Sequence, residues 1–315
     1  MNRHSLFPIA LAATLVGIPA VASTVSIGDW TPLYQGIDFS TGTISGTDAS
    51  VAYALRIDLT AAGVGFYTTP KGGSLNTVSE TTSQFLEGSG VQVAINGNFF
   101  APCCDAFPED KTVIGLAVSD GVVVAPPTSG AGNSNVALLL SKQNQATIAT
   151  TTSSMDLSNV FNAVAGSAII VQNGINIGAQ SPNEGDPTHA NPRTDIGISQ
   201  DGRFLYLVAI DGRQPGYSVG TTASETADLM IGFGAYTAMN LDGGGSTAMV
   251  RSDGSGGAIE LNRPSGGTER FDANALGVFA QPLPAPEPGA LGVVSAGLLG
   301  LLLVRARVSR FRSKE

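Results

Sequence analysis

The stretch Asp242-Gly243-Gly244-Gly245-Ser246-Thr247 puts a carboxylate at the lip of three successive glycines. Glycine carries an entropic cost on folding, so three in a row mark a place where backbone approaches a ligand closely or turns through positive φ. N–H groups exposed in such a loop would hold an anion. Upstream, Arg193 and the run Asp211-Gly212-Arg213-Gln214 flank two strand-like segments, 194–199 and 203–210, joined by Asp201-Gly202. Asp-Gly favours a two-residue type I′ turn. With Gln200 facing Arg203, Arg193 falls opposite Ile210 and Asp211 opposite Pro192. Two cations, Arg193 and Arg213, and the Asp211 carboxylate then emerge at one end of a hairpin. Taken singly, each feature has a plainer account: a glycine-rich hairpin loop, and a surface salt bridge at a sheet edge.

Other chemistries fit poorly. Gly244-Gly245-Ser246-Thr247-Ala248 nearly matches a G-x-S-x-G nucleophile elbow, but a helix should follow the serine and residues 248–250 are strand-like. The chain order Ser…Asp…His cannot be built, because His189 precedes Ser246. No lysine follows the glycines, so this is not a phosphate-binding P-loop. Cys103 and Cys104 are the two cysteines, and they are adjacent. In an oxidising compartment they would bond to each other or pair between chains. Without the first 22 residues His189 is the sole histidine, which argues against a His/Cys metal site. No metal and no cofactor is expected.

The elements that must position these residues are short. Segments 51–59, 63–67, 91–95, 113–118, 122–124, 136–140 and 145–150 are β-branched and bounded by Gly, Pro, Asn or Asp, and read as strands. Asp120-Gly121 is a hairpin signal between two of them. Two helices are expected. One starts at Thr77 with Glu80 closing a capping box and Phe85 and Leu86 along it; the other starts at Thr222 with Glu225 and stops at Gly234. The latter leads into a strand at 236–241 that delivers Asp242. The expectation is an α+β fold, with strand-rich mixed sheets and a few flanking helices, and no internal repeats.

The two ends differ from the middle. Residues 1–22 combine Arg3 and His4 with an apolar run and end in Ala20-Val21-Ala22, the pattern that signal peptidase reads. At the other end, in residues 282–315, Pro286-Glu287-Pro288 precedes an uncharged stretch, 289–304, and then Arg305, Arg307, Arg310, Arg312 and Lys314. That stretch is slightly short of the roughly 17–25 residues of a spanning helix, and its basic flank would stay cytoplasmic. The layout resembles a PEP-CTERM sorting signal, which implies transient inner-membrane anchoring and cutting by an exosortase-like sorting enzyme. The expected location is therefore the periplasm, the cell surface or the extracellular matrix. Residues 23–281 remain as one domain. Of the 16 Lys and Arg, Arg3 and the five of the tail lie outside it, and of the 25 Asp and Glu, Glu287 and Glu315 do, leaving a net charge of about −13. Such a surface repels nucleic acid; an anionic substrate must be met by a few placed arginines.

An ordered set of motifs resembles the phosphodiester glycosidase family. It comprises Asn96-Gly97-Asn98-Phe99-Phe100, Asn191-Pro192-Arg193-Thr194, Asp211-Gly212-Arg213, the run from Asn240 to Ser246, Asn262-Arg263-Pro264-Ser265, and Arg270 with Ala273-Asn274-Ala275-Leu276. The resemblance implies cleavage of a sugar from a sugar-1-phosphodiester, leaving a phosphomonoester. The residues suit that chemistry. Phosphate is a good leaving group, so a strong general acid matters less than for an ordinary glycoside. Arg193, with Arg213, Arg263 and Arg270, would clamp phosphate oxygens, aided by Gly243, Gly244, Gly245 and Ser246. Asp242 and Asp211 are the candidates for nucleophile or base. Asn96, Asn98 and Asn262 would position sugar hydroxyls or phosphate. The resemblance does not extend to Cys103 and Cys104. Envelope or extracellular glycans are the expected substrates. The rival is a non-catalytic glycan-binding or exopolysaccharide-matrix protein that kept the fold, and intact Arg193, Asp211 and Asp242 favour the enzyme.

Overall fold

The hairpin inferred around Asp201-Gly202 lies at the centre of the molecule. In the computed structural model, which describes residues 24–45, 49–128, 135–181 and 188–284, strands Arg193–Ile198 and Phe204–Ile210 pair antiparallel with Arg193 opposite Ile210. The register is the expected one; the turn is not. Ser199 N–H bonds Phe204 O (2.9 Å), Gly202 N–H bonds Ser199 O (3.0 Å), and Gly202 (φ 71°) has positive φ while Asp201 does not. The loop thus has four residues instead of two. Both loops keep the same pairing partners, so the register survives the wrong turn type.

This hairpin belongs to a nine-stranded sheet. Its order is Thr24–Ile27, Ile37–Ser45, Ser50–Asp58, Phe204–Ile210, Arg193–Ile198, Thr237–Asn240, Ala168–Gln172 and Ile175–Asn176, with Thr31–Tyr34 added on Ile37–Ser45. Leu205, Leu207 and Ala209 face the main core, while Tyr206, Val208 and Ile210 face the helix Ala223–Phe233. Burial on both faces explains the unbroken apolar run of this strand. A second sheet runs Ala258–Glu260, Met249–Ser252, Val93–Asn96, Ala275–Phe279 and Gly65–Thr68. A third runs Val122–Ala125, Ala117–Ser119, Asn162–Gly166, Val136–Leu140 and Ala146–Thr150. Ile95, Met249 and Leu276 from one, and Leu138 and Val164 from the other, close over Leu55, Leu207 and Met239 in one buried cluster.

Two expectations about class are corrected. The sheets are not mixed: the described strand pairs are antiparallel throughout. With two α-helices among the described residues against three large sheets, the fold is mostly β, and α+β describes it only roughly.

Local departures have local causes. The first helix is Thr82–Ser89 and is capped by Thr81, whose box partner is Gln84, not by Thr77 with Glu80. Thr77 and Val78 instead pair with Lys111 and Asp110; sheet pairing overrides a helix-start motif that both positions satisfy. The strand expected over 113–118 is two, Asp110–Val113 and Ala117–Ser119. Asn98 Nδ2 donates to the carbonyls of Ile114 (3.1 Å) and Leu116 (3.2 Å), and Gly115 between them has φ 87°. The second helix, Ala223–Phe233, has the Thr222–Glu225 box and stops at Gly234 (φ 114°). Asp120 (φ 48°) and Gly121 (φ 78°) make the expected hairpin turn. Among the described residues no helix is long and apolar enough to cross a membrane. The expected signal peptide and the segment from residue 286 onward lie outside the described residues.

Candidate active site

The strand Thr237–Asn240 delivers Asp242 and the glycine loop to the ends of the central strands. Each glycine has a separate steric reason. A Cβ on Gly243 would stand 2.7 Å from Pro192 O. Gly244 has φ 65°, and its Cβ would meet the Arg213 guanidinium at 3.1 Å; a Cβ on Gly245 would lie 2.1 Å from Arg270 Nη2. Two guanidinium groups therefore rest on bare backbone. Three of the loop amides that the sequence offered to an anion are turned to the protein: Gly243 N–H bonds Asp242 Oδ1 (2.9 Å), Gly244 N–H bonds Pro192 O (2.9 Å), and Ser246 N–H bonds Gly243 O (3.1 Å). Arg213 and Arg270 place positive charge over this backbone.

Both arginines line an open cleft of about 610 Å³, together with Gly245, Ser265, Glu269 and, on the opposing loop, Asp105. Asp242, three residues before Gly245, is partly exposed; it does not itself line the cleft and reaches its wall through Ser246 and Arg270. Its Oδ2 accepts from the Ser246 hydroxyl (2.7 Å), which in turn accepts from Arg270 Nη1 (3.1 Å). Burial pushes the Asp242 carboxyl up to about 6, against the lowering influence of Ser246, Arg270 and Gly243 N–H. Such a group is mostly ionised at neutral pH yet still basic, a suitable property for a carboxylate asked to take a proton. Asp272, which no sequence motif brought forward, is buried beside this cluster. Its carboxyl is held well above the ordinary range, first by burial and then by the charge of Asp242. Its position between Arg270 and Ala273-Asn274 was the available signal.

The other expected site residues are placed differently. Arg193 is buried (4% exposed), with Nε donating to Thr221 O (2.8 Å) and Nη1 to Asn240 Oδ1 (3.3 Å); it does not line the cleft. Asp211 is buried too and accepts from Tyr217 OH (2.8 Å), Asn262 Nδ2 (3.0 Å) and Arg263 N–H (3.0 Å). Burial raises its carboxyl, opposed by those hydrogen bonds. Its partner is the backbone of Arg263, not the Arg193 side chain. The guanidinium of Arg263 is exposed and stacks 5.2 Å over the Tyr217 ring.

The asparagines are spent on the fold. Asn96 donates to Asp242 O (2.8 Å) and accepts from Thr194 (2.7 Å) and Ala248 N–H (3.2 Å). Asn98 grips Ile114 and Leu116 while accepting from Ala165 N–H (2.9 Å) and Asn274 (3.0 Å). Asn262 joins Asp211, Thr247 O and Met249 N–H. None of the three turns a spare polar group to the cleft; they tie the glycine loop and its neighbours to the sheets. Cys103 and Cys104 are bonded to each other across a cis peptide, immediately before Asp105 and Ala106 on the cleft rim. Among the described residues no group of three or more His, Cys, Asp or Glu side chains is placed to hold a metal ion.

Residues 89–279 match the family model for phosphodiester glycosidases. The chain belongs to the phosphodiester glycosidase family. All the residues named for this site fall within that stretch, including Asp272. No curated protein matches the chain. Among solved structures, the zebrafish N-acetylglucosamine-1-phosphodiester alpha-N-acetylglucosaminidase catalytic domain, auto-inhibited by its pro-peptide, superposes with a TM-score of 0.60 at 17% identity, over 82% of this chain and 88% of that one. A Burkholderia pseudomallei K96243 protein gives 0.59 at 16%, over 83% and 98%. A Synechocystis protein gives 0.58 at 14%, over 78% and 62%, so the chain spans less than two thirds of that relative. At these identities the structural likeness shows a shared fold alone.

Proposed function

We propose that this protein is a hydrolase that cleaves the sugar C1–O bond of a sugar-1-phosphodiester and releases a phosphomonoester. The observation that carries the reading is the pair of guanidinium groups, Arg213 and Arg270, seated on the Gly244-Gly245 backbone at one cleft, with the Asp242 carboxylate joined to Arg270 through the Ser246 hydroxyl. Breaking the C1–O bond turns a phosphodiester monoanion into a phosphomonoester dianion. Charge therefore grows on the phosphate as positive charge grows on the sugar. Two planar guanidinium groups stabilise the first change by charge-assisted hydrogen bonds that strengthen in the transition state. Asp242 supplies the carboxylate for the second, attacking C1 or taking the proton of the attacking water. The partly open cleft accommodates a substituent on the phosphate, as a diester requires.

On this reading the chain is exported through residues 1–22, held briefly at the inner membrane by its C-terminal segment, and acts on phosphodiester-linked glycans of the envelope or matrix. The sequence patterns at the two ends support that placement. The test is incubation of the protein with methyl diesters of hexose and N-acetylhexosamine 1-phosphates. Expected is release of methyl phosphate and free sugar in equal amounts. Sugar binding with no release from any diester would instead support the glycan-binding alternative.

A further inference from the structure

The cluster behind the glycine loop contains a carboxyl group that the reaction as described leaves unused. Asp272 is 3% exposed, and neither of its side-chain oxygens makes a well-formed hydrogen bond, although the Ser246 hydroxyl lies close enough to interact with them. Its backbone is fixed by a two-way bridge to Glu80, with Asp272 N–H to Glu80 O at 2.9 Å and the reverse at 3.1 Å. The charged groups around it are Asp242, Glu269 and Arg270. Glu80 is half-buried on the bridged segment, and Arg213 and Asp105 stand farther out on the cleft wall. Glu269 is itself occupied by Ser83, whose N–H donates to it at 2.8 Å. Asp272 thus faces two carboxylates and one guanidinium, and a bare charge at that position would be strongly disfavoured.

Donor and acceptor counting at Ser246 decides what Asp272 contributes. A hydroxyl has one proton and two lone pairs. The Ser246 proton goes to Asp242 Oδ2, and one lone pair receives Arg270 Nη1. The remaining lone pair is open to a donor, and Asp272 lies within reach of Ser246. An ionised Asp272 offers acceptors alone and would compete with Asp242 for the same proton. A protonated Asp272 has a proton of its own to place, and that open lone pair can accept it. We propose that Asp272 is a positioning residue of this site: a buried carboxylic acid whose O–H, given to Ser246, aims the serine hydroxyl at Asp242. The chain then runs Asp272 to Ser246 to Asp242, with every proton assigned and the ionised carboxylate at the partly exposed end. Asp272 needs no contact with substrate. The role rests on the reading of the cleft as a diester-cleaving site, but the protonation itself does not.

Two measurements separate these. Infrared spectra of the substrate-free protein at neutral pH should contain the C=O stretch of one buried protonated carboxylic acid that is missing from Asp272→Asn and retained in Asp242→Asn. Its absence from the wild type overturns the proposal whatever the activity. In diester turnover, Asp272→Leu should lose about tenfold or more, because the serine is no longer aimed. Asp272→Asn, whose amide donates as the acid does, should recover most of that loss. It should also lose the alkaline limb of the pH–rate profile, where ionisation of Asp272 shuts the wild type down. If Asp272→Asn is as inactive as Asp272→Leu while folded by circular dichroism, the residue acts as an ionised group and the proposal fails. If the infrared band is present but no diester is cleaved by the wild type, the protonated Asp272 stands and the function proposed for the cleft falls.

Discussion

Two charged clusters sit at the same ends of the central strands, and they do opposite things with their polar atoms. Around Arg193 and Asp211, guanidinium and carboxylate are directed into the protein: Arg193 holds Thr221 O and Asn240, and Asp211 gathers Tyr217, Asn262 and Arg263 N–H. Around Asp242, the guanidinium groups of Arg213 and Arg270 lie on bare glycine backbone and face a cleft. The residue types are the same; the difference is what remains unspent. Buried polar groups must be satisfied, and the first cluster satisfies its own by joining strand ends to loops. The second leaves charge directed at open space, the arrangement expected of groups that meet a ligand. Proximity at a sheet end is therefore a weak guide to catalysis, and hydrogen-bond accounting is a better one.

The largest difference between the clusters should appear on replacing the carboxylates. Asp242→Asn is expected to lower diester turnover by about 100- to 10,000-fold, the span for a removed acid–base group, with little change in melting temperature. In the wild type, the acid limb of the rate profile should fall near pH 6, where burial places Asp242. A limb near the ordinary carboxylate range in stopped-assay kinetics would detach that limb from Asp242.

Gly245→Ala comes next. The new Cβ would stand 2.1 Å from Arg270 Nη2, so the guanidinium must move. Turnover is expected to drop about tenfold or more, as a transition-state donor is displaced without being removed, and the fold should persist. Full activity in this variant, with a normal circular dichroism spectrum, would show that the seat of Arg270 is irrelevant.

Asp211→Asn should act on stability. An amide there keeps one acceptor oxygen but puts an NH2 where the other oxygen accepts, a loss of about 1–3 kcal/mol, with turnover per folded molecule little changed. The pH dependence has a defined sign. Burial raises the Asp211 carboxyl in the folded protein, so its protonated form is favoured by folding. That contribution is fully present below its unfolded value of about 4 and is lost as the pH rises through the raised folded value. The melting-temperature advantage of wild type over Asp211→Asn should therefore shrink with rising pH. An advantage that grows with pH would mean the carboxylate is stabilised as the anion.

How much of this was legible beforehand follows from the range of each interaction. The pairing of Arg193 with Ile210 could be read because a short hairpin fixes register locally. The Thr222 cap, its Glu225 partner and the Gly234 stop could be read because a capping box spans four residues. Thr77 and Thr81 both start such a box, and a strand 34 residues downstream, pairing Thr77 with Lys111, settled the choice. The motifs led to the right family, but not to the division of labour inside them. Asn96, Asn98 and Asn262 look like ligand-positioning residues in sequence, and their partners lie 98, 67 and 51 positions away at Thr194, Ala165 and Asp211. Asp272 was passed over because its meaning depends on Ser246 and Asp242, which reach it through the fold alone.

The central claim is that the phosphate is met by the arginines on the glycine loop and not by the buried arginine beside them. The most direct test compares Arg270→Lys with Arg193→Lys for methyl phosphate release from a sugar-1-phosphate methyl diester, with turnover normalised to folded protein. A lysine keeps the charge but not the planar fork. Arg270→Lys should lose about 100- to 1,000-fold with its melting temperature retained. Arg193→Lys should melt earlier but keep turnover within about tenfold per folded molecule, since the catalytic donors are elsewhere. The opposite pattern, with Arg193→Lys inactive and Arg270→Lys near wild type, would contradict the account.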